Sequence, residues 1–210
     1  MKVLVTGAGG FLGKRVCELL TKKKYQWVII DRKSNNLLSK VTVGRYSNDR
    51  FDVIIHMAGI TSLNKRRIHG TYNDNVIMAK NMAKIFNNAG ANKMIFVSSN
   101  AVNYRVDSFA RSKRRAEEIL IKEVPNLLIL RPKLIVGEGS PEVKLMHTWL
   151  KRLPFIPYLI YPGWQFDPVN VDQLAERVAA AVDSKEIGVI TVSGNKVGIR
   201  EFLLRQRDGI

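Results

Sequence analysis

The chain has 210 residues, with 34 Lys and Arg against 18 Asp and Glu, giving a formal net charge of +16. That length suits one domain with a sizeable core, and a composition of 46% hydrophobic and 25% charged residues excludes a chain that stays disordered. The basic excess raises acidic partners: nucleic acid, an anionic membrane surface, or phosphorylated small molecules.

In chain order, a short Val-rich run predicts a buried strand over 3–5, and helical spacing follows over 11–20. A second strand is expected over 27–30 and a third over 53–55, then a helix over 76–86 and a strand over 94–97. A helix over 112–121 leads to a strand over 127–130. Helices over 143–150 and 171–182, the latter opened by a cap at Asp172, precede a last strand over 189–192. Strand and helix alternate throughout. Parallel neighbours need crossover connections that helices supply, so the expected fold class is α/β, a doubly wound parallel sheet in a single domain over 1–210. The proline-rich, aromatic segment 154–164 breaks the pattern and reads as a loop packed on the core, a substrate-side flap or a partner surface.

The first strand runs into Thr6-Gly7-Ala8-Gly9-Gly10-Phe11-Leu12-Gly13, and the first helix begins at once. Glycine lets the main chain approach a pyrophosphate, and the helix that follows offers unpaired N–H groups and a positive dipole to the anion. The second strand ends in Asp31, eighteen residues beyond Gly13, where an adenosine ribose would lie. This strand–turn–helix context predicts the NAD(P)-binding Rossmann arrangement, with Gly7, Gly10, Phe11, Leu12 and Gly13 around the pyrophosphate. Asp31 would accept hydrogen bonds from the ribose hydroxyls and repel a 2′-phosphate, which favours NAD. The adjacent Arg32 and Lys33 could instead clamp that phosphate, so NADP stays open.

These motifs resemble those of the extended short-chain dehydrogenase/reductase superfamily, in particular its NAD-dependent epimerase/dehydratase group, which acts on nucleotide sugars. Thr6-Gly7-x-x-Gly10-x-x-Gly13 is similar to the cofactor fingerprint, and Asp52-Val53-Ile54-Ile55-His56-Met57-Ala58-Gly59 to the strand whose small residues line the cofactor. Asn75-Val76 is similar to the start of the next helix, and Phe96-Val97-Ser98-Ser99-Asn100-Ala101-Val102 to a serine-rich strand end. Leu130-Arg131-Pro132-Lys133-Leu134-Ile135-Val136-Gly137 and Phe166-Asp167-Pro168-Val169-Asn170-Val171-Asp172 resemble later elements beside the substrate. The resemblance implies cofactor contacts from Met57, Ala58, Gly59, Asn75, Val97, Ser98 and Pro132, with Lys113 on the nicotinamide ribose. It also implies a reduced substrate-side lobe from residues 138–170 and 193–210.

The departures carry the functional question. The family's Tyr-x-x-x-Lys stands here as Phe109-Ala110-Arg111-Ser112-Lys113. Positions i and i+4 share a helix face, so the resemblance implies a lysine that holds ribose hydroxyls and activates a phenol one turn earlier. Phenylalanine has no proton to exchange, so the general base is missing from its place. The Ser/Thr helper position falls on Asn100, or on Ser99 after a one-residue shift, and Tyr104 is the candidate for a displaced base. The stretch from Asn100 to Phe109 is also short for a loop that lines a sugar pocket. Two function classes follow: an epimerase/dehydratase-like protein with weak or absent redox catalysis, and a non-catalytic dinucleotide-binding regulator or scaffold.

Basic clusters at Lys22-Lys23-Lys24, Lys65-Arg66-Arg67, residues 111–115 and Lys151-Arg152 lack the interleaved aromatics of a nucleic-acid surface, so nucleic acid is not expected as a partner. A small-molecule substrate such as a nucleotide-diphosphate sugar is expected, and a homodimer is compatible with the resemblance. Cys17, the single cysteine, excludes an internal disulfide framework and reads as a buried small residue. His56, His69 and His147 show no metal-ligand spacing, so no metal is expected. No stretch reaches the roughly 18 uncharged apolar residues of a membrane span, and the first apolar run meets Gly7 too early for a signal peptide. A reducing, cytoplasmic setting is the expectation.

Overall fold

In the computed structural model, which describes residues 1–31, 36–61, 71–150, 152 and 165–208, the chain builds one central sheet flanked by helices. Its strands are β1 (Lys2–Thr6), β2 (Gln26–Ile30), β3 (Val53–His56), β4 (Lys93–Val97), β5 (Leu127–Pro132) and β9 (Gly188–Val192). They lie in the order β2-β1-β3-β4-β5-β9, and every pairing is parallel. The sequence-predicted strands all appear, each longer by one or two residues. Because the sheet is covered on both faces, alternate residues of one strand enter different cores. Leu4, Ile54 and Phe96 pack on one side with α2 (Lys40–Ser47), α3 (Thr71–Ala89) and α4 (Ser108–Glu123). Val3, Val5 and Ile55 pack on the other with α1 (Phe11–Lys22) and α6 (Val171–Ala180).

The cap of α6 is a correction to the sequence reading. Asp172 already lies inside the helix, and the cap is Asn170, whose extended backbone turns its side chain to accept from the Asp172 N–H at 2.7 Å. The region expected on the substrate side contains α5 (Pro141–Leu150), α7 (Ile199–Asp208) and two small strand pairs. In the first, β6 (Ile135–Val136) runs parallel to β8 (Val169–Asn170); in the second, β7 (Gln165–Phe166) runs antiparallel to β10 (Val197–Gly198). An edge-to-face contact of Phe166 with Phe202, 4.9 Å between ring centres, joins β7 to α7. The expectations for the segment 154–164, for Lys65-Arg66-Arg67, and for Arg32 and Lys33 lie outside the described residues.

The topology fixes where a site can form. Strand β1 pairs with β2 on one side and β3 on the other, so successive connections leave in opposite directions and open a crevice at the strands' carboxyl ends.

Candidate dinucleotide site

Two connections meet at that crevice: the glycine turn after β1 and the loop after β3. Gly7 adopts φ +78°, and a Cβ there would come within 2.7 Å of the Ala58 nitrogen, so only glycine lets the two loops touch. A Cβ on Gly13 would stand 2.0 Å from the Gly7 carbonyl oxygen. The turn thus folds back directly onto the first turn of α1. Gly10 caps that helix with backbone alone and brings no side-chain acceptor, which leaves the first N–H groups open to an anion.

Between these loops lies a cleft of about 590 Å³, lined by Gly7, Gly10, Asp31, Met57, Ala58 and Gly59 among others. Its volume falls within the range of small-molecule and cofactor sites. Leu37, Leu38, Ile60 and Met78 add an apolar wall that the sequence reading did not identify. They come from segments far apart in the chain, so no local pattern marks them.

The other predicted site residues divide by how they are held. Asn75, at 5% exposure, accepts from the Ile60 N–H at 2.8 Å and donates to the Ile60 carbonyl at 3.1 Å and to Ser112 Oγ at 2.9 Å. Its amide therefore fixes the loop that walls the cleft. Ser112 in turn donates to the Phe109 carbonyl at 2.7 Å, linking that loop to the first turn of α4. Leu12 is buried in the core, so only its backbone faces outward, while Phe11 packs under the Arg15 guanidinium, 4.9 Å from its ring centre. Pro132, buried, closes β5.

Lys113 is buried beside Gly59. Its Nζ donates to the Val97 carbonyl at 3.0 Å, stands 4.7 Å from the Phe96 ring centre, and would lie 3.2 Å from a Cβ at Gly59. Burial pushes its pKa down to about 8, and nearby Glu117 opposes that shift. Next to it, His56 stacks on Phe96 and shares a 2.7 Å hydrogen bond with Thr6 Oγ1, which also accepts from the Ala58 N–H. Burial and then the Lys113 charge hold the His56 pKa down at about 3, so the imidazole is neutral. Ser98, after Val97, keeps a buried hydroxyl with no partner among the described residues.

Phe109 is half-buried, belongs to neither core and sits one helical turn before Lys113. The helper candidates lie on a short 3₁₀ turn, Asn100–Asn103. Ser99 Oγ caps it by accepting from the Ala101 N–H, and Asn100 Oδ1 accepts from Asn103 Nδ2 at 2.7 Å. Asn103 also accepts from Arg131, which forms a two-pronged ion pair with buried Glu117. Tyr104 is 70% exposed, so no packing holds its hydroxyl toward a reacting atom. Among the described residues no group of His, Cys, Asp and Glu is arranged to hold a metal ion, and no helix is long and apolar enough to cross a membrane.

The glycine cradle and the cleft fit a dinucleotide, and comparison with known proteins agrees. Residues 3–151 match the model of the NAD dependent epimerase/dehydratase family. A ceramide reductase of Caulobacter vibrioides is 25% identical over 205 residues, covering 91% of this chain and 64% of the reductase. A crystal structure of a dTDP-4-dehydrorhamnose reductase from Clostridium acetobutylicum superposes with a TM-score of 0.82 at 21% identity, covering 98% of this chain and 79% of that one. The Bacillus anthracis dTDP-4-dehydrorhamnose reductase in complex with NADP gives 0.81 at 23% identity, covering 99% and 80%. The chain spans less than two thirds of the length of the curated relatives it matches first.

Proposed function

Because the chain belongs to the NAD-dependent epimerase/dehydratase family, we propose that it binds NAD in the cleft after β1 and β3 and is built for redox chemistry on a nucleotide sugar that its own residues support only weakly. In this reading the glycine turn and the first turn of α1 hold the pyrophosphate, Asp31 holds the adenosine ribose, and Lys113 holds the nicotinamide ribose. The bound nicotinamide supplies hydride acceptance and return. The chain must supply the matching proton transfer, and the observation that supports weak transfer is Phe109 at the position one turn before Lys113. A ring without a hydroxyl can pack against cofactor or substrate but cannot carry a proton.

The same observation supports a second reading, a non-catalytic dinucleotide-binding regulator or scaffold. The distance between the two readings is a rate, so one experiment serves both: calorimetric titration with NAD and NADP, then turnover assays on a panel of nucleotide sugars and ceramide-type lipids. The primary reading expects NAD to bind more tightly than NADP, Asp31→Ala to narrow that difference, and slow turnover of at least one sugar nucleotide. Binding without any turnover, together with a protein partner that co-purifies in stoichiometric amount, is the outcome of the second. Failure of both dinucleotides to bind at millimolar concentration would remove both.

A further inference from the structure

A second groove, of about 370 Å³, lies between α2 and α3, outside the dinucleotide cleft. One face of α2 presents Lys40, Gly44 and Ser47 to it, and one face of α3 presents Asn81, Lys84 and Asn88. Its polar groups are ammonium, amide and hydroxyl, and none of the described residues that line it is acidic. Lys40 and Lys84 are exposed and make no ion pair among the described residues.

Ser47 makes this more than a basic surface. It is 8% exposed, and its Oγ is buried without a hydrogen-bond partner among the described residues. A helical serine ordinarily satisfies its hydroxyl on the carbonyl four residues earlier or in water, and a buried polar group left unpaired calls for a partner. Gly44, one turn before it, leaves its Cβ position open, with nothing within 4 Å, so the groove stays accessible along that side of α2. Two uncompensated cations, side-chain amides and an unused hydroxyl together match a compact oxyanion, which takes several donors at once.

We propose that this groove is an anion site for a phosphate group, either free phosphate or the phosphoryl end of a phosphomonoester, held by Lys40 and Lys84, with the Ser47 hydroxyl joining them once its side chain turns from its buried position into the groove. The site does not depend on whether a dinucleotide occupies the main cleft. Its nearest tie to that cleft is Asn81, whose Nδ2 donates at 2.7 Å to the carbonyl of Leu37, a residue of the cleft wall.

The test is an amide-resolved NMR titration of the whole chain with inorganic phosphate, and in parallel with a nucleoside monophosphate, at about 0.15 M salt to screen general attraction. Saturable shifts should appear at Ser47, Asn48, Lys84 and Asn88. Affinity should fall at least tenfold in K40E/K84E and several-fold in Ser47→Ala, but not in K22E/K122E, which makes the same charge change elsewhere. A tighter monophosphate would identify a phosphomonoester as the ligand, and equal affinities free phosphate. Shifts confined to the glycine turn at Gly7–Gly13 would overturn the proposal. So would non-saturating shifts, or equal weakening by the two double variants. Unchanged affinity in Ser47→Ala would do the same.

Discussion

The side-chain amide of Asn75 grips the Ile60 backbone from both sides, accepting from its N–H and donating to its carbonyl, so a helix residue sets the wall of the cleft. Replacing Asn75 with alanine leaves both Ile60 groups and Ser112 Oγ short of a partner in a buried setting. With partial rehydration through the adjoining cleft the net loss should be about 1–3 kcal/mol, and for a chain of this size the melting temperature should fall by roughly 2–12 °C. Dinucleotide affinity should weaken with it, because Gly59 and Ile60 lose their anchor. Thermal unfolding and calorimetry check this; an unchanged melting temperature would mean that other contacts hold the loop.

Lys113 ties two pH effects of opposite sign to one group. Its pKa in the folded chain is about 8, below the ordinary lysine value of 10.5, so between those values the unfolded chain binds more protons and the lysine's contribution to stability rises with pH. Binding runs the other way. If the ammonium donates to ribose hydroxyls, NAD affinity should fall as pH rises through about 8, because the charged donor is lost. Denaturant midpoints and NAD titrations at several pH values, compared with Lys113→Met, isolate both effects. The methionine variant should lose the pH dependence of binding and bind NAD more weakly throughout. Equal pH profiles in the two proteins would separate Lys113 from the cofactor.

The strands were legible because they are buried on both faces, and uninterrupted Val and Ile runs such as Val53-Ile54-Ile55 have few other homes. Helix α2 was not. Its KVTVGRYS sequence mixes β-branched residues and a glycine with little apolar periodicity, and it depends on the Ser39 cap and on packing by Thr42 and Tyr46. Two-residue strands such as β6 and β8 are too short to show any period. At the site, Gly7, Gly10, Gly13 and Asp31 announced themselves through backbone requirements and spacing. The bonds from Asn75 to Ile60, from Lys113 to the Val97 carbonyl and between Thr6 and His56 join residues 15 to 50 positions apart, which local pattern cannot pair.

The glycines of the turn should differ sharply in tolerance. Gly13→Ala puts a methyl group where the Gly7 carbonyl already lies, so the turn must shift; overpacking of this kind costs about 1–3 kcal/mol. Gly9→Ala meets nothing within 4 Å and should keep stability within about 0.5 kcal/mol. Calorimetry with NAD should show strong loss for Gly13→Ala and a smaller change for Gly9→Ala. Equal losses would indicate that the backbone at Gly9 approaches the ligand as closely as that at Gly13.

Phe109→Tyr tests whether one missing hydroxyl limits the chemistry. The ring is aromatic already, half-buried on the first turn of α4 and outside both cores, so adding an oxygen should change stability by less than about 1 kcal/mol. Lys113, one turn later, carries positive charge below about pH 8 and would lower the phenol pKa. A positioned acid/base group contributes about 100- to 10,000-fold, so turnover of a sugar nucleotide should rise by a factor visible even when affinity is poor. Rates should rise with pH as the phenol ionises and fall again when Lys113→Met is added to the same chain. Ordinary enzyme rates in the unmodified protein would contradict the assignment. If Phe109→Tyr binds NAD normally yet turns over no sugar nucleotide, the deficit lies in substrate binding. The structural cause would then be the 3₁₀ turn that Arg131 and Arg114 pin through Asn103 and the Val102 carbonyl, since those bonds hold Asn100 and its neighbours where a longer loop would receive the sugar.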